Sequence, residues 1–205
     1  MLILSIDTSM TLFSVALVRG ETLVAAFAAE GKSSRNEKLL PAVDWILTEA
    51  GVPRSELDLL AVTRGPGSFT GVRIGLATVQ GLAFALQCPI AAISTHEAAL
   101  GDAAPPEALV FSDAGRGEFY ASGFRDGIEE LEPALVTAAQ LDLLRSEYDA
   151  AIDVDALIRR ENLALLAARR VQALARGGRE LPRDATPIYV RLAEAEVRLL
   201  RNGDV

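Results

Sequence analysis

The sequence predicts an α/β protein in two related halves, each a mixed sheet flanked by helices, with the second half reduced. Three observations carry that expectation. Apolar runs of strand length interleave with longer runs of helical periodicity, the pattern of α/β architecture. A unit of strand, aspartate, small-residue turn and strand opens the chain and returns in its second half. The chain has 205 residues, half of them apolar, which suffices for a generous core.

The first unit is a meander. LILSIDTS alternates into a polar turn, and TLFSVALVRGETLVAAFAAE continues as two strands joined at Arg19, Gly20 and Glu21. The polar stretch GKSSRNEK reads as a loop. In LLPAVDWILTEAG, Leu39, Leu40, Val43, Ile46 and Leu47 recur at helical spacing and Gly51 stops the helix. Pro41 lacks a backbone donor, so this helix either starts near Leu40 with proline in its first turn or is kinked there. DLLAVT is a short buried strand, and a second helix over residues 71–86 follows the glycine turn. CPIAAIS is a further strand. STHEAAL opens a helix capped by Ser94, with Glu97 as reciprocal partner.

The linker GDAAPPEA separates a first domain, residues 1–103, from a second, residues 104–205. There ALVFSDAGRGEFYASGFRDG reads strand, turn, strand, turn. Aligning Asp7 with Asp113 also aligns Phe13 with Phe119 and Arg19 with Arg125. AQLDLLRSEYD and LIRRENLALLAARRVQALARGG read as helices, ATPIYVRL as a late strand and AEAEVRLLR as a closing helix.

Composition bounds the chemistry. Cys88 is the single cysteine and His96 the single histidine, which excludes an internal disulfide and multi-histidine or multi-cysteine metal sites within one chain. The start MLILSIDTS has no basic leader, and no uncharged apolar run reaches the roughly 18 residues of a membrane span. A cytoplasmic protein is expected. The formal charge of -8 is uneven: residues 1–155 hold 10 basic and 22 acidic side chains, residues 156–205 hold 10 and 6. The acidic body repels nucleic-acid phosphate. Arg159, Arg160, Arg169, Arg170, Arg176 and Arg179 are therefore either the route to RNA or a solvated helix surface.

RGPGSFTG raises the question of a phosphate site. It is not a P-loop, because Val72 and Arg73 follow Gly71 where lysine and a hydroxyl residue belong. Gly65, Gly67 and Gly71 are also spaced one residue too widely for the dinucleotide fingerprint. A helix N-terminus can still hold an anion, and a turn requiring positive φ at its glycines explains the same residues. The helix says more. Over residues 71–86 its polar side chains are Arg73, Thr78 and Gln80, whereas a surface helix has a broad polar side. Its own sheet must cover one face and something else another. Gly71, Gly75 and Thr78 share a face that permits close approach of a second helix. Asp7 with Thr8 and Ser9, and Asp113 with Gly115, either line one nucleotide cleft or bond their own turns. His96 reads as a packed or surface residue rather than a base, and no hydroxyl shows the placed base of a nucleophile. No catalytic residue is assigned.

In order, ILSIDTS, LLPAVDWIL, RGPGSFTGVRIGLATVQGLA, ISTHEAA, DAGRGEFYAS and PIYVR resemble the TsaB family, also called YeaZ. The resemblance implies two ribonuclease-H-like halves of the actin, Hsp70 and sugar-kinase type. It also implies a role in forming threonylcarbamoyladenosine next to the anticodon of tRNA, as a non-catalytic relative of the catalytic subunit TsaD. The histidine metal motif of TsaD falls at SSRNEKLLP, which has no histidine, so neither a metal site nor peptidase activity carries over. Partner contact is implied through the first two helices, with TsaD or, without it, with a second copy in a homodimer, making a four-helix bundle. The contacts are expected at Leu39, Ala42, Val43, Ile46, Val72, Gly75, Leu76 and Val79. The chain itself would require no cofactor; ATP would be used by the complex, on which the ATPase TsaE and tRNA assemble. The rival reading is a nucleotide-dependent phosphotransferase using Asp7 and Asp113, with Ser9 and Gly115 beside them.

Overall fold

A computed structural model describes residues 1–30 and 35–191. Strands β1 (Leu2–Asp7), β2 (Leu12–Arg19), β3 (Thr22–Glu30), β4 (Leu59–Thr63) and β5 (Ile90–Ile93) form one sheet in the order β3-β2-β1-β4-β5. The first three are an antiparallel meander, while β4 runs parallel to β1 and β5 to β4. Parallel neighbours need crossovers, and α1 (Arg35–Glu49) and α2 (Phe69–Leu86) supply them. The second sheet repeats the plan one strand short. Its strands β6 (Glu107–Gly115), β7 (Glu118–Arg125), β8 (Ile128–Thr137) and β9 (Ala150–Asp153) lie in the order β8-β7-β6-β9. β9 runs parallel to β6 after the crossover helix α4 (Ala138–Arg145). This duplicated mixed sheet is the ribonuclease-H-like arrangement expected, and the lack of a fifth strand among the described residues is the reduction.

Each face of the first sheet has its own cover. On one, Leu4, Ile6, Phe13, Val15 and Leu17 pack with the inner stripes of α1 and α2. On the other, Ile3, Ala16, Val18, Leu59 and Ala61 share a core with α3 (Thr95–Ala99), α5 (Val154–Leu157), α6 (Leu163–Arg176) and with Ala108, Val110 and Phe124 of the second sheet. The boundary expected after residue 103 lies between the sheets. The helix α6 nevertheless crosses back over it to cover the first.

Several expected elements are corrected. α1 begins at Arg35, which places Pro41 inside the helix rather than in its first turn. α2 begins at Phe69, where Ser68 Oγ accepts from Gly71 N (3.2 Å). Its 18 residues are, by length and composition, apolar enough to cross a membrane, although Val72, Leu76 and Val79 pack on the sheet. LIRRENLALLAARRVQALARGG is not one helix: α5 ends at Leu157 and Asn162 starts α6, its Oδ1 accepting from Leu165 N (2.9 Å). A side chain that satisfies the first free donors of a helix belongs at its start, not its middle. Residues 185–191 form no strand, because Pro187, like Pro182 before it, lacks the donor a ladder needs. β8 and β9 went unread. Charges and Pro133 obscure the alternation of the first, and the second is four residues long. The closing helix expected over residues 193–201 and the start of the polar loop, residues 31–34, lie outside the described residues.

Candidate docking face and a closed glycine turn

The turn after β1 sits directly on the glycine turn that launches α2. Asp7 Oδ1 accepts from Ser9 N (3.1 Å), Ser9 Oγ (2.6 Å) and Thr63 Oγ1 (2.5 Å), and Ser9 Oγ accepts from Thr95 Oγ1 (2.9 Å). Thr8 Oγ1 donates to Gly71 O (2.7 Å), and Ser68 N to Ser9 O (2.7 Å). A Cβ on Gly67 would run into the Ser9 carbonyl, and one on Gly75 into the Thr8 hydroxyl. From the other side the Ile188 carbonyl stands 2.8 Å from where a Cβ of Gly65 would be. These glycines permit close approach of backbone. The space a phosphate would take beside them is filled by the chain itself, and Asp7, Thr8 and Ser9 are at most 1% exposed.

Asp113 is not the counterpart of Asp7. β2 and β7 correspond as aligned: Phe13 and Phe119 each stand second in their strand and pack on its outer face, and Arg19 and Arg125 end the strands. β1 and β6 are offset by one residue less. Asp7 pairs with Ser14, whereas Tyr120, the equivalent of Ser14, pairs with Ser112. The parallel ladders agree, since Ile3 begins the pairing with β4 and Ala108 that with β9. A slip of one residue exchanges the faces of a strand. Ser112 therefore occupies the place of Asp7, and Asp113 lies exposed on the opposite face. There its Oδ1 accepts from Gly115 N (2.7 Å) and its N–H donates to Asp155 Oδ2 (2.7 Å). Burial raises the pKa of Asp155, opposed by that N–H. The expected cleft of Asp7, Ser9, Asp113 and Gly115 is corrected to two self-capping turns, one buried and one exposed.

His96 bridges the halves. It is buried, with Nδ1 2.8 Å from Ser122 Oγ and Nε2 3.0 Å from Ser112 Oγ, and burial lowers its pKa to about 3. The imidazole is neutral and structural. Ser94 Oγ caps its helix at Glu97 N (2.9 Å), while the Glu97 carboxylate pairs with Arg170 Nε (3.3 Å). Arg170, expected on a solvated or RNA-facing surface, is buried and also bonds Gly127 O. Arg176 pairs with Glu21 (2.6 Å).

The eight residues expected at a partner contact are all turned inward. Leu39, Ala42, Val43, Ile46, Val72, Leu76 and Val79 belong to the core against the first sheet, and Gly75 is pressed on Thr8. The choice of face is thereby corrected. What α2 leaves open is the opposite side: Thr70, Arg73, Ala77, Gln80, Gly81, Phe84 and Ala85 are exposed and Ile74 half-buried. Phe84 is 82% exposed, and on α1 Trp45 and Leu40 are 51% and 49% exposed. Between the helices runs a groove of about 440 Å³ lined by Leu40, Phe69, Thr70, Arg73, Ile74, Ala77 and Thr78. One signal in the sequence distinguishes the faces. The polar side chains Thr70, Arg73 and Gln80 stand on the outside, while Gly71, Val72, Gly75, Leu76 and Val79 meet the sheet.

Fold and site together define a duplicated ribonuclease-H-like α/β protein with a closed glycine turn and an uncovered helix face. The family model described as TsaD, tRNA N6-adenosine threonylcarbamoyltransferase, matches residues 30–171. The tRNA threonylcarbamoyladenosine biosynthesis protein TsaB of Bacillus subtilis is 29% identical over 98% of this chain and 99% of its own length. That of Escherichia coli is 43% identical over 46% of this chain and 41% of its own. Among solved structures, YeaZ from Pseudomonas aeruginosa superposes with a TM-score of 0.71 at 28% identity, covering 92% of this chain and 99% of that one. The chain belongs to the TsaB (YeaZ) family of tRNA threonylcarbamoyladenosine biosynthesis proteins.

Proposed function

We propose that this chain is a non-catalytic subunit of the bacterial complex that forms threonylcarbamoyladenosine next to the anticodon of tRNA. In this reading it binds and stabilises TsaD through the open faces of α1 and α2, and so enables TsaE and tRNA to assemble; alone it forms a homodimer through the same faces. The observation that carries the reading is the outer side of α2, where Arg73 is the one charge and an apolar patch of Ala77, Gly81, Phe84 and Ala85 stands exposed beside Thr70 and Gln80. A contiguous apolar face of this kind marks an interaction site. TsaD is favoured as occupant because the TsaD family model matches residues 30–171, so that partner is built on the same plan and would present corresponding helices.

Non-catalysis is supported by the turn after β1, which fills the space beside the glycines where a nucleotide phosphate would lie. The ATP used by the complex would then be handled elsewhere than at Asp7, and no cofactor is required of this chain. Co-purification with TsaD tests the reading. Ala77→Arg and Phe84→Glu, on the open face, are expected to abolish the complex while the melting temperature of the chain alone stays within a few degrees. Retention of full binding by both variants would remove it. Saturable binding and turnover of ATP with magnesium by this chain alone would instead favour a phosphotransferase.

A further inference from the structure

After α6 the chain crosses the edge of the first sheet as a strap. Pro182 O accepts from Ala92 N (2.7 Å), Ile188 N donates to Arg64 O (2.7 Å), and Arg64 Nη1 donates to Thr186 O (3.2 Å). Beyond these bonds Tyr189 reaches the start of α2. Its ring lies over Phe69 with centroids 4.8 Å apart, and its hydroxyl accepts from Arg73 Nε (2.6 Å). The Arg73 guanidinium carbon stands 3.8 Å from the centroid of the Phe69 ring. Two residues further on, Arg191 Nη1 donates to Ala114 O (3.0 Å) and the side chain pairs with Glu118, which pins the strap to the β6–β7 turn.

We propose that Tyr189 is a positioning residue for docking: it holds Arg73, the only charged side chain of α2, over Phe69 at the rim of the groove, so that a partner protein seated there must present a carboxylate to it. The proposal rests on the docking reading above. Phe69 and Arg73 both line the groove and both touch Tyr189. Stacking and the hydroxyl bond fix a side chain that would otherwise lose its rotamer freedom on binding, which is how preorganisation raises affinity. The bond to Tyr189 uses one of five guanidinium donors. Covering the rest with an apolar partner would strand a charge away from water, a cost that an opposing carboxylate offsets.

The test is calorimetric titration of the full chain with TsaD at two salt concentrations. Tyr189→Phe, which keeps the stacked ring, is expected to weaken binding roughly threefold to tenfold. Arg73→Gln should weaken it at least as much and flatten its salt dependence. Adding Tyr189→Phe to Arg73→Gln should cost nothing further, because the hydroxyl acts through the guanidinium. Arg73→Lys, which keeps the charge but loses the Nε–H bond to the tyrosine, should behave like Tyr189→Phe. Binding by Tyr189→Phe as tight as that of the parent, additive losses in the double variant, or unchanged salt dependence in Arg73→Gln would each overturn the proposal. Ala77→Arg, at an exposed residue of the groove, separates the two readings. If it abolishes binding while these variants do not weaken it, positioning alone falls; if it binds as the parent does, docking and positioning fall together.

Discussion

His96 illustrates how much a single packed residue commits. Two serine hydroxyls from neighbouring strands flank its ring, and burial lowers its pKa to about 3. In the unfolded chain an imidazole titrates near 6.5. Between those values the unfolded state binds the extra proton, so the stability contributed by the neutral ring is complete above pH 6.5 and is lost as pH falls toward 3. The loss approaches about 1.4 kcal/mol per pH unit for one group. His96→Gln keeps a donor and an acceptor between the serines but cannot titrate. Its urea midpoint should be lower than that of the parent at pH 7.5 and should fall less between pH 6.5 and 4.5. Parallel curves for the two proteins would place the acid sensitivity elsewhere. The same residue shows what the sequence withholds: its place in the first turn of a helix argued against a base but left packed and surface positions open, and Ser112 and Ser122 come from strands whose register no local pattern states.

At the scale of the element, α2 is the decisive case, because apolar residues stand on both of its sides. Val79 is completely buried against the first sheet, and Ala77, two residues away, is exposed. Val79→Glu would carry a carboxylate into an apolar core, at a cost of several kcal/mol; Ala77→Glu would place it in water. Circular-dichroism melts should show the first variant unfolded or severely destabilised and the second within a few degrees of the parent, and equal melts would reverse the assignment of faces. Gly75→Arg belongs with the first, since the Thr8 hydroxyl closes that position. The existence of α2 was legible from its apolar run and glycine turn. Its orientation was marked only by a few polar residues such as Arg73 and Gln80, because apolar ones such as Ala77 and Phe84 stand on the open side too. The repeat was legible in the same partial way. Phe13 with Phe119 gave the correct offset for the second strands, but Asp7 with Asp113 was wrong by one for the first, and one residue is enough to move a carboxylate from a buried network to an exposed turn.

For the whole molecule the consequential feature is the return of α6 across the boundary between the halves. Ala164, Ala167, Ala168 and Val171 are completely buried in the core that also holds Ile3, Ala16, Val18 and Ala61 of the first sheet. Polar bonds fasten the same helix there: Ala164 N donates to Ser14 Oγ (3.0 Å), Asn162 Nδ2 to Phe27 O (3.0 Å) and Gln172 Nε2 to Gly20 O (2.6 Å). The first sheet thus borrows one of its two covering layers from the far end of the chain, and a sheet with one bare apolar face does not make a stable domain. Residues 1–103 expressed alone should bind a hydrophobic dye and melt without a cooperative transition, as loosely packed states do. Co-expressed with residues 104–205, the same segment should be recovered in a complex that melts in one transition, because α6 then restores the missing layer. Cooperative, dye-free melting of residues 1–103 by themselves would mean that α1 and α2 suffice to hold the first sheet and that α6 only ties the halves together. The expected dependence has a consequence for docking: α1 and α2 lie on the face of the sheet opposite α6, so a partner meets a surface whose backing is completed only when α6 has folded.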